Sequence, residues 1–382
     1  MSPFRGIPVP IRCMLWGRAA GRCEFCNRPV SFHSKTKETV NLAQAAHIIG
    51  FSEDGPRGEE DLSEELAKDI SNLMLLCGEC HKNIDTNKLN YPVELLRSVK
   101  VSHEHRIMTV TGITTEKQSH IVLYGTNVGQ HKSPVSYQKA AFAMLPEWYP
   151  AEIAPISLGM VNSSFEDRDT EFWRIESAHL GNMVSQQIRP RLANGAIEHL
   201  SIFGFAPQPL LMLLGFLLSD IPTAEVYQLH REPPDWKWKD DPKIFEYIVQ
   251  EPVEVKGPPA LLLALSATIT DGRITSVLGD EVAIWRVTVA EPNNDILKSR
   301  QQLQRFRQVM RLLLNRIKSK HGEGATIHVF PAIPVAAAVD FGRILMPKAD
   351  LPLRIYDQNR GRGGFIHALD LNTSSNCGGN KQ

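Results

Sequence analysis

The sequence predicts an α/β protein built in two parts, and three observations support this fold class. Two Cys-x-x-Cys pairs lie near the N-terminus, at Cys23–Cys26 and Cys77–Cys80. Near-continuous apolar runs such as 261–266 and 282–290 are typical of parallel strands that helices cover on both faces. A diverged repeat also runs through the C-terminal part. With 382 residues, the chain is long enough for two or three domains.

The composition is that of a soluble globular protein, with 42% hydrophobic and 22% charged residues. The formal net charge is zero, so attraction to DNA has to come from local patches rather than from a global basic field. No apolar run reaches the roughly 18 residues that a membrane-spanning helix needs, and none has the form of a signal peptide. We therefore expect a cytoplasmic protein with no membrane partner.

The paired cysteines predict a structural metal site, because disulfides are rare in the cytoplasm. Each Cys-x-x-Cys turn places two thiolates on one side of a knuckle, and two knuckles complete a tetrahedral shell around Zn²⁺. The alternative is four buried, reduced cysteines. The predicted zinc ligands are Cys23, Cys26, Cys77 and Cys80, and the predicted free thiols are Cys13 and Cys377.

Polar residues between and after the knuckles predict hydrolytic chemistry. The stretch 40–49 is the first strand of a predicted hairpin and carries His47, the candidate general base. Asn72 is expected to hold that imidazole by a hydrogen bond. His81 and Asp85 are four residues apart on a predicted helix, so both side chains leave one face and can chelate a hard divalent ion.

The order of these motifs over residues 10–105 resembles an HNH endonuclease of the ββα-metal type. The resembling segments are Cys23/Cys26, 45–49, 72–77, Cys80–His81 and 84–85. The family likeness implies that His47 is the base, that Asn72 orients it and that His81 binds the catalytic ion, Mg²⁺ or a similar divalent ion. It also implies metal-dependent hydrolysis of double-stranded DNA, with little sequence preference because nothing resembles a base-reading element.

The sequence departs from that family at Ala46, where many HNH enzymes have an Asp or His ligand just before the catalytic histidine. Either the site uses one protein ligand fewer, or Asp85 fills the vacancy, which is the hypothesis we favour.

The repeat behind this domain predicts paired βαβ units. Residues 200–207 align without a gap on 327–334, and Gly215 then falls on Gly342. Each copy has a strand, a proline-containing turn, an apolar helix and a second strand, after a long polar helix. Residues 106–135 are predicted to form a short strand at Met108–Gly112 and a connector. The expected domains are 1–120 and 121–382, with pseudo-repeats at about 140–255 and 256–382.

The C-terminal part resembles the SAVED domain, two fused CARF-like Rossmann-type units that sense cyclic oligonucleotides in bacterial CBASS anti-phage systems. The likeness rests on 265–268, 330–334, Gly342 and 353–357. The whole chain thus resembles an HNH-SAVED effector nuclease. This resemblance implies that a cyclic di- or trinucleotide, for example of the cGAMP type, drives a homo-oligomer, a dimer or larger, that activates the nuclease.

The ligand pocket is predicted beyond the carboxyl ends of the strands, where such sheets bind ligands. Phosphates need cationic or N–H donors and bases need aromatic faces. For the two tryptophans, the alternative is packing of their loop onto the sheet. The candidates are Gln208, His230, Arg231, Trp236, Trp238, Ser266, Thr268, Pro334, Tyr356, Asp357 and Arg360.

Two other functions compete with this interpretation. One is a constitutive restriction-type HNH enzyme whose C-terminal part recognises modified DNA. The other is a non-enzymatic ligand-binding regulator with a degenerate nuclease, which Ala46 suggests.

Overall fold

The chain divides into two compact units in a computed structural model, residues 1–115 and 116–382. The expected boundary after residue 120 falls inside a strand of the second unit, Gln118–Gly125. The structure describes residues 6–33, 35–126, 134–160, 171–240, 245–359 and 364–372. In those ranges every helix is too short or too polar to cross a membrane.

The N-terminal unit contains a two-stranded antiparallel sheet among helices. Its elements are α1 (Val9–Arg18), β1 (Ala43–His47), α2 (Leu62–Glu65), β2 (Leu73–Cys77), α3 (Gly78–Thr86) and α4 (Val93–Thr111). Ala43 lies opposite Cys77 and His47 lies opposite Leu73. The predicted strand that carries His47 and the predicted helix that carries His81 and Asp85 are confirmed, and β1, β2 and α3 form the ββα arrangement.

Packing explains why this small sheet is stable. Strand β2 has the sequence Leu-Met-Leu-Leu-Cys and is buried at every position, because both α1 and α3 pack on it. Its apolar side chains join Leu15, Ile48 and Leu96 in one core. Burial of such side chains stabilises the unit by about 1.5–3 kcal/mol each.

The strand predicted at Met108–Gly112 was wrong. These residues form the last turn of α4 and its C-cap. The Met-Thr-Val-Thr alternation is typical of a strand, but a 19-residue helix that starts after Pro92 extends through it. The Thr111 hydroxyl donates to the Ile107 carbonyl at 2.6 Å, a bond that satisfies the hydroxyl within the helix.

The first half of the second unit has a five-stranded sheet with the order β4-β3-β6-β7, and β5 pairs with β3. Its elements are β3 (Gln118–Gly125), α5 (Tyr137–Met144), β4 (Tyr149–Pro150), β5 (Ile156–Ser157), α6 (Phe172–Met183), a π-helical turn (Val184–Ile188), α7 (Arg189–Ala193), β6 (His199–Phe205), α8 (Gln208–Leu218) and β7 (Thr223–Tyr227). All of its strand pairs are parallel.

The second half has a six-stranded sheet with the order β13-β12-β11-β9-β10-β8. Its elements are β8 (Ile248–Gln250), β9 (Pro259–Ala264), α9 (Gly272–Leu278), β10 (Ala283–Thr288), α10 (Arg300–His321), β11 (Ile327–Ala332), α11 (Val335–Arg343), β12 (Leu353–Asn359) and β13 (Gly364–Leu371). The four central strands are parallel, and the two edge strands are antiparallel to their neighbours.

The repeat inferred from the sequence is present as β6-α8-β7 and β11-α11-β12. The two helices cross where the aligned glycines lie. A Cβ atom on Gly215 would lie 1.9 Å from the Val339 carbonyl oxygen, and one on Gly342 would lie 1.9 Å from that of Met212. Each glycine therefore faces the residue that precedes its counterpart by three positions. This reciprocal contact relates the two halves and explains why both positions hold glycine.

Candidate functional site

The four paired cysteines converge in the first unit. Their Sγ atoms all lie within 4.8 Å of one another, and Cys26 Sγ is 3.9 Å from Cys77 Sγ. Four Zn–S bonds of about 2.3 Å in a tetrahedron give S–S separations of about 3.8 Å. The geometry therefore fits a closed Zn²⁺ site. Cys77 ends β2 and Cys80 lies in the first turn of α3, so the knuckle lies between the sheet and the helix.

The electrostatics of the thiols also fit a cation. Burial raises the pKa of Cys23 to about 11 and raises the pKa of Cys80 still further. Burial also opposes ionisation of Cys26, but the Arg28 backbone N–H and the neighbouring thiols outweigh it and lower that pKa. Several thiolates this close repel one another, so a divalent cation is what stabilises them together.

A cleft of about 490 Å³ lies beside this site, and its lining includes the predicted ligands of the catalytic ion. The lining residues are Gln44, Gly78, His81, Lys82, Asp85 and Thr86. His81 Nε2 is 3.2 Å from Asp85 Oδ2. Two adjacent ligands of an octahedral ion, each about 2.1 Å away, lie about 3.0 Å apart, so the pair fits a divalent ion such as Mg²⁺.

Gln44 fixes the orientation of His81, a contact that the sequence analysis missed. Its Oε1 lies 2.7 Å from His81 Nδ1. An amide oxygen only accepts, so Nδ1 carries a proton and Nε2 is the ring nitrogen that faces Asp85. Nε2 donates to Asp85 when it is protonated, and a bound ion would take the place of that proton. Strand alternation could have indicated Gln44 in the sequence. It is two residues before Ala46, the position where many HNH enzymes have a metal ligand, and it therefore lies on the same face of β1.

Asp85 is shared between two donors. Oδ2 faces His81, and Oδ1 accepts a hydrogen bond of 2.8 Å from Arg57 Nη2. Burial opposes ionisation of Asp85, but the hydrogen bonds with His81 and Arg57 outweigh it and lower the pKa of this carboxyl. Asp85 is therefore a carboxylate at neutral pH.

His47 has the tautomer that a general base requires. Its Nε2 is 2.9 Å from the Ala67 carbonyl oxygen, which only accepts. Nε2 therefore carries the proton, and the Nδ1 lone pair can take a proton from water. In the described ranges, only the four cysteines form a group of three or more Cys, His, Asp or Glu ligand atoms within 4.8 Å, so His47 does not join His81 and Asp85 as a shared ligand.

The bond expected from Asn72 to the imidazole goes elsewhere. Asn72 Oδ1 accepts from the Ile49 N–H at 2.7 Å, and Nδ2 donates to the carbonyls of Ile49 and Leu66. The ring is held by Ala67 instead. Asn72 is buried in the 3₁₀ turn before β2. From there its side chain bonds to Ile49, two residues after His47, and to Leu66, which precedes the Ala67 that holds the ring. Asn72 therefore holds the backbone on either side of the His47–Ala67 contact and not the ring itself.

In the second unit, two predicted ligand residues come together. Gln208 begins α8, and Pro334 caps α11. The Gln208 side-chain oxygen accepts the Ile333 N–H at 3.1 Å, so the turns after β6 and β11 adjoin. The Ser266 N–H donates to the Ala332 carbonyl at 2.7 Å and joins the same region.

Three other candidates are buried in the core. His230, Trp236 and Trp238 are 1%, 2% and 5% exposed. Trp236 packs edge-on against Phe203 at 5.4 Å. The structure therefore favours the alternative of loop packing for both tryptophans. Burial, together with Lys298 and Lys239, lowers the pKa of His230 to about 4.

The remaining candidates are scattered. Arg231 donates its backbone N–H to Asp295 Oδ1 at 3.1 Å. Tyr356 stacks on Phe330 at 4.5 Å in a separate apolar cluster. Thr268 is exposed and Asp357 is half-buried. Arg360 and the free thiol expected at Cys377 lie outside the described residues.

A second cavity, of about 410 Å³, lies beyond the carboxyl end of β10, where a parallel sheet binds ligands. Its lining combines one aromatic ring with amide, acidic and cationic groups. The lining residues are Phe245, Glu246, Val289, Ala290, Glu291, Asn293, Asp295, Ile296 and Lys298. None of them was predicted. The polar turn after the apolar run 282–290 could have indicated the lining residues from Glu291 onward, but not Phe245 and Glu246.

The fold and the two sites define a fusion of a ββα-type nuclease unit with a duplicated Rossmann-type sensor unit. A family model described as HNH endonuclease matches residues 22–89. A second family model, SAVED, described as "SMODS-associated and fused to various effectors sensor domain", matches residues 180–371, half of the chain. The chain belongs to the SAVED family and carries an HNH endonuclease domain in front of the sensor.

Solved structures of SAVED/CARF-domain receptors are similar to this chain. The Acinetobacter baumannii Cap4 receptor with the cyclic trinucleotide 2'3'3'-cAAA is 13% identical over 82% of this chain and 67% of that chain, with a TM-score of 0.43. The Moraxella osloensis Cap4 receptor is 13% identical over 77% and 60%, with a TM-score of 0.37. No curated protein matched.

Proposed function

We propose that the chain is a metal-dependent endonuclease that cuts double-stranded DNA when a cyclic oligonucleotide binds its sensor unit. The observation that carries the nuclease activity is the free Nδ1 of His47, whose Nε2 proton is fixed on Ala67. The HNH domain and the SAVED domain in one chain support the link between cleavage and ligand.

The proposed chemistry uses His47 as the base. Its Nδ1 takes a proton from water as the water oxygen bonds to the scissile phosphorus and the P–O bond to the leaving oxygen breaks. Solvent water protonates that leaving oxygen. Ala67 keeps the second ring nitrogen protonated, so the ring becomes a cation held in place by a carbonyl dipole. His81 and Asp85 hold the divalent ion, and Gln44 keeps the His81 lone pair directed at it. That ion, when bound, stabilises negative charge on the phosphate and the leaving oxygen.

The four cysteines have a structural role in this proposal. A tetrahedral S₄ shell leaves no position for substrate or water, so the zinc holds β2 and the start of α3 together and takes no part in hydrolysis.

The proposed ligand cavity lies beyond β10. Cavities of this size are typical of small-molecule sites. The Phe245 ring offers a stacking face, and the Asn293 amide offers hydrogen bonds to a base edge. Lys298, which pairs with Asp295 in the structure, would exchange that carboxylate for a phosphate of the ligand. The Cap4 receptor named above was solved with a cyclic trinucleotide, which supports a cyclic di- or trinucleotide here. Two of the sequence candidates are next to this lining through Asp295: Arg231 donates its backbone N–H to Oδ1, and His230 Nδ1 lies 4.0 Å from the same oxygen.

In this proposal the ligand activates the nuclease by favouring a homo-oligomer. A ligand shifts such an equilibrium only when it binds the assembled state more tightly than the resting state. Assembly would bring several HNH domains to one DNA molecule.

The experiment is to incubate plasmid DNA, Mg²⁺ and the zinc-loaded protein with a panel of cyclic di- and trinucleotides. We expect cleavage only with one or a few members of the panel, together with a shift to larger species in sedimentation. Cleavage without any nucleotide would instead support the restriction-type enzyme. Binding of a nucleotide without cleavage in any divalent ion would support the regulator.

A further inference from the structure

We infer that Arg57 is a positioning residue of the nuclease site, which sets the distance between the strand that carries His47 and the helix that carries His81 and Asp85. The inference rests on the proposed function. Arg57 lies in the loop after β1, and no motif in the sequence identified it.

The guanidinium of Arg57 bonds to both halves of the ββα motif. Nε donates to the Ile48 carbonyl at 2.8 Å and Nη2 to the His47 carbonyl at 3.3 Å, at the end of β1. Nη1 donates to the Ile84 carbonyl at 3.2 Å, and Nη2 also donates to Asp85 Oδ1 at 2.8 Å, both on α3. One rigid planar group therefore fixes the strand end and the helix relative to each other.

The Arg57 side chain is buried, so the loss of any of these bonds leaves a polar group without a partner. The Arg57 side chain is 6% exposed, so water does not replace a lost partner and the group does not reach substrate. Its donors are directed at three carbonyls and one carboxylate. Asp85 keeps Oδ2 toward His81 because Arg57 holds Oδ1. The 3.2 Å separation of His81 Nε2 and Asp85 Oδ2 thus depends on the guanidinium.

The backbone conformation of Arg57 also indicates that its side chain has a specific role. Its φ is +58°, in the left-handed region that non-glycine residues adopt only at a cost of about 1–2 kcal/mol. The Arg57 carbonyl accepts the Gly50 N–H at 3.1 Å, which closes the loop after β1. Glycine would fit this backbone without cost, so the contacts of the guanidinium compensate for the strain.

Two variants separate the side chain from the backbone. Arg57→Lys keeps the positive charge near the ion but replaces the planar fork with a single ammonium that cannot hold all four acceptors. Arg57→Gly removes the side chain at a backbone conformation that glycine adopts freely. Arg18→Ala is the control, because Arg18 makes one exposed contact, 3.8 Å from Glu104, away from the site.

We expect Arg57→Lys to weaken Mn²⁺ binding by about 10-fold or more, measured by electron paramagnetic resonance on the full zinc-loaded chain. With activator present, kcat should fall by about 100-fold in both Arg57 variants because the reacting groups move apart. KM for DNA should change little, since Arg57 does not touch substrate. Arg18→Ala should match the parent protein.

Mn²⁺ affinity and kcat within about twofold of the parent in Arg57→Lys would overturn the inference, because charge alone would then suffice. Full activity of Arg57→Gly would also overturn it. So would unfolding of the nuclease unit in both variants, since Arg57 would then support the fold in general. If the parent protein cuts no DNA with any nucleotide, the proposed function fails, and the Mn²⁺ affinity of Arg57→Lys still decides the role of Arg57.

Discussion

The two units differ in whether the residues predicted for each site lie together in the structure. In the nuclease unit, His81 and Asp85 line one cleft, and His47 is held in the tautomer of a base. In the sensor unit, Trp236 and Trp238 lie in the core, and the cavity beyond β10 has a lining that no motif identified. Short motifs place a site when their residues are near in sequence. Pockets at sheet ends depend on which distant loops meet.

Zinc removal should have the largest effect, and it should affect only the nuclease unit. A structural zinc contributes roughly 10–16 kcal/mol in small zinc domains. Chelation, or Cys80→Ser, should therefore unfold residues 1–115 while the sensor unit keeps its own cooperative transition in calorimetry. Cys13→Ser is the control because Cys13 is exposed and outside the cluster. A nuclease unit that unfolds unchanged after verified metal loss would contradict the zinc site.

The substitution His47→Ala should lower kcat by about 10²–10⁴-fold, the usual contribution of a general base. Nucleotide affinity measured by calorimetry should stay unchanged, because the sensor unit is intact. His105→Ala is a matched control, since His105 is exposed on α4 of the same unit. Equal activity of both variants in single-turnover cleavage would remove His47 from the mechanism.

Acid should weaken the sensor unit through its buried histidines. Burial, with Arg343 and Lys117, lowers the pKa of His199 to about 4, and the pKa of His230 is also about 4. Both are below the ordinary value of 6.5, so the unfolded chain binds these protons first. Their contribution to stability is complete above about pH 6.5 and is lost as the pH falls toward 4.

The loss should be up to about 3 kcal/mol for each histidine. Urea unfolding followed by tryptophan fluorescence measures it, because five of the six tryptophans lie in the sensor unit. A midpoint that does not change between pH 7 and pH 4.5 would contradict the buried neutral state.

The crossing of α8 and α11 should be intolerant of a single methyl group. Gly215→Ala places Cβ against the Val339 carbonyl, so we expect a loss of about 1–3 kcal/mol and a lower melting temperature of the sensor unit. Gly181→Ala on α6 is the control, because no atom lies within 4 Å of its Cβ. That change should be neutral or stabilise by about 0.5–1 kcal/mol. Equal melting temperatures would mean that the helices can separate.

Sequence reasoning succeeded where spacing restricts geometry. It identified the four cysteines, the strand that carries His47, the helix that carries His81 and the repeat that aligns Gly215 with Gly342. It failed at Met108–Gly112, where a two-residue alternation lies inside a long helix. It also assigned the bond on the imidazole to Asn72, although a backbone carbonyl makes it, because carbonyl positions leave no trace in a sequence.

The sequence by itself determined which four cysteines cluster, the ββα order and the duplicated βαβ units, because a repeated motif or a periodicity marks each of them. Only the tertiary structure decided that Arg57 holds Asp85 and that Gln44 orients His81. These partners are 28 and 37 residues apart along the chain. No motif or periodicity marks either pair, in contrast to the two Cys-x-x-Cys pairs, which recognise each other across 51 residues. Their contacts depend on how β1, the loop after it and α3 pack, and packing is a property of the whole unit.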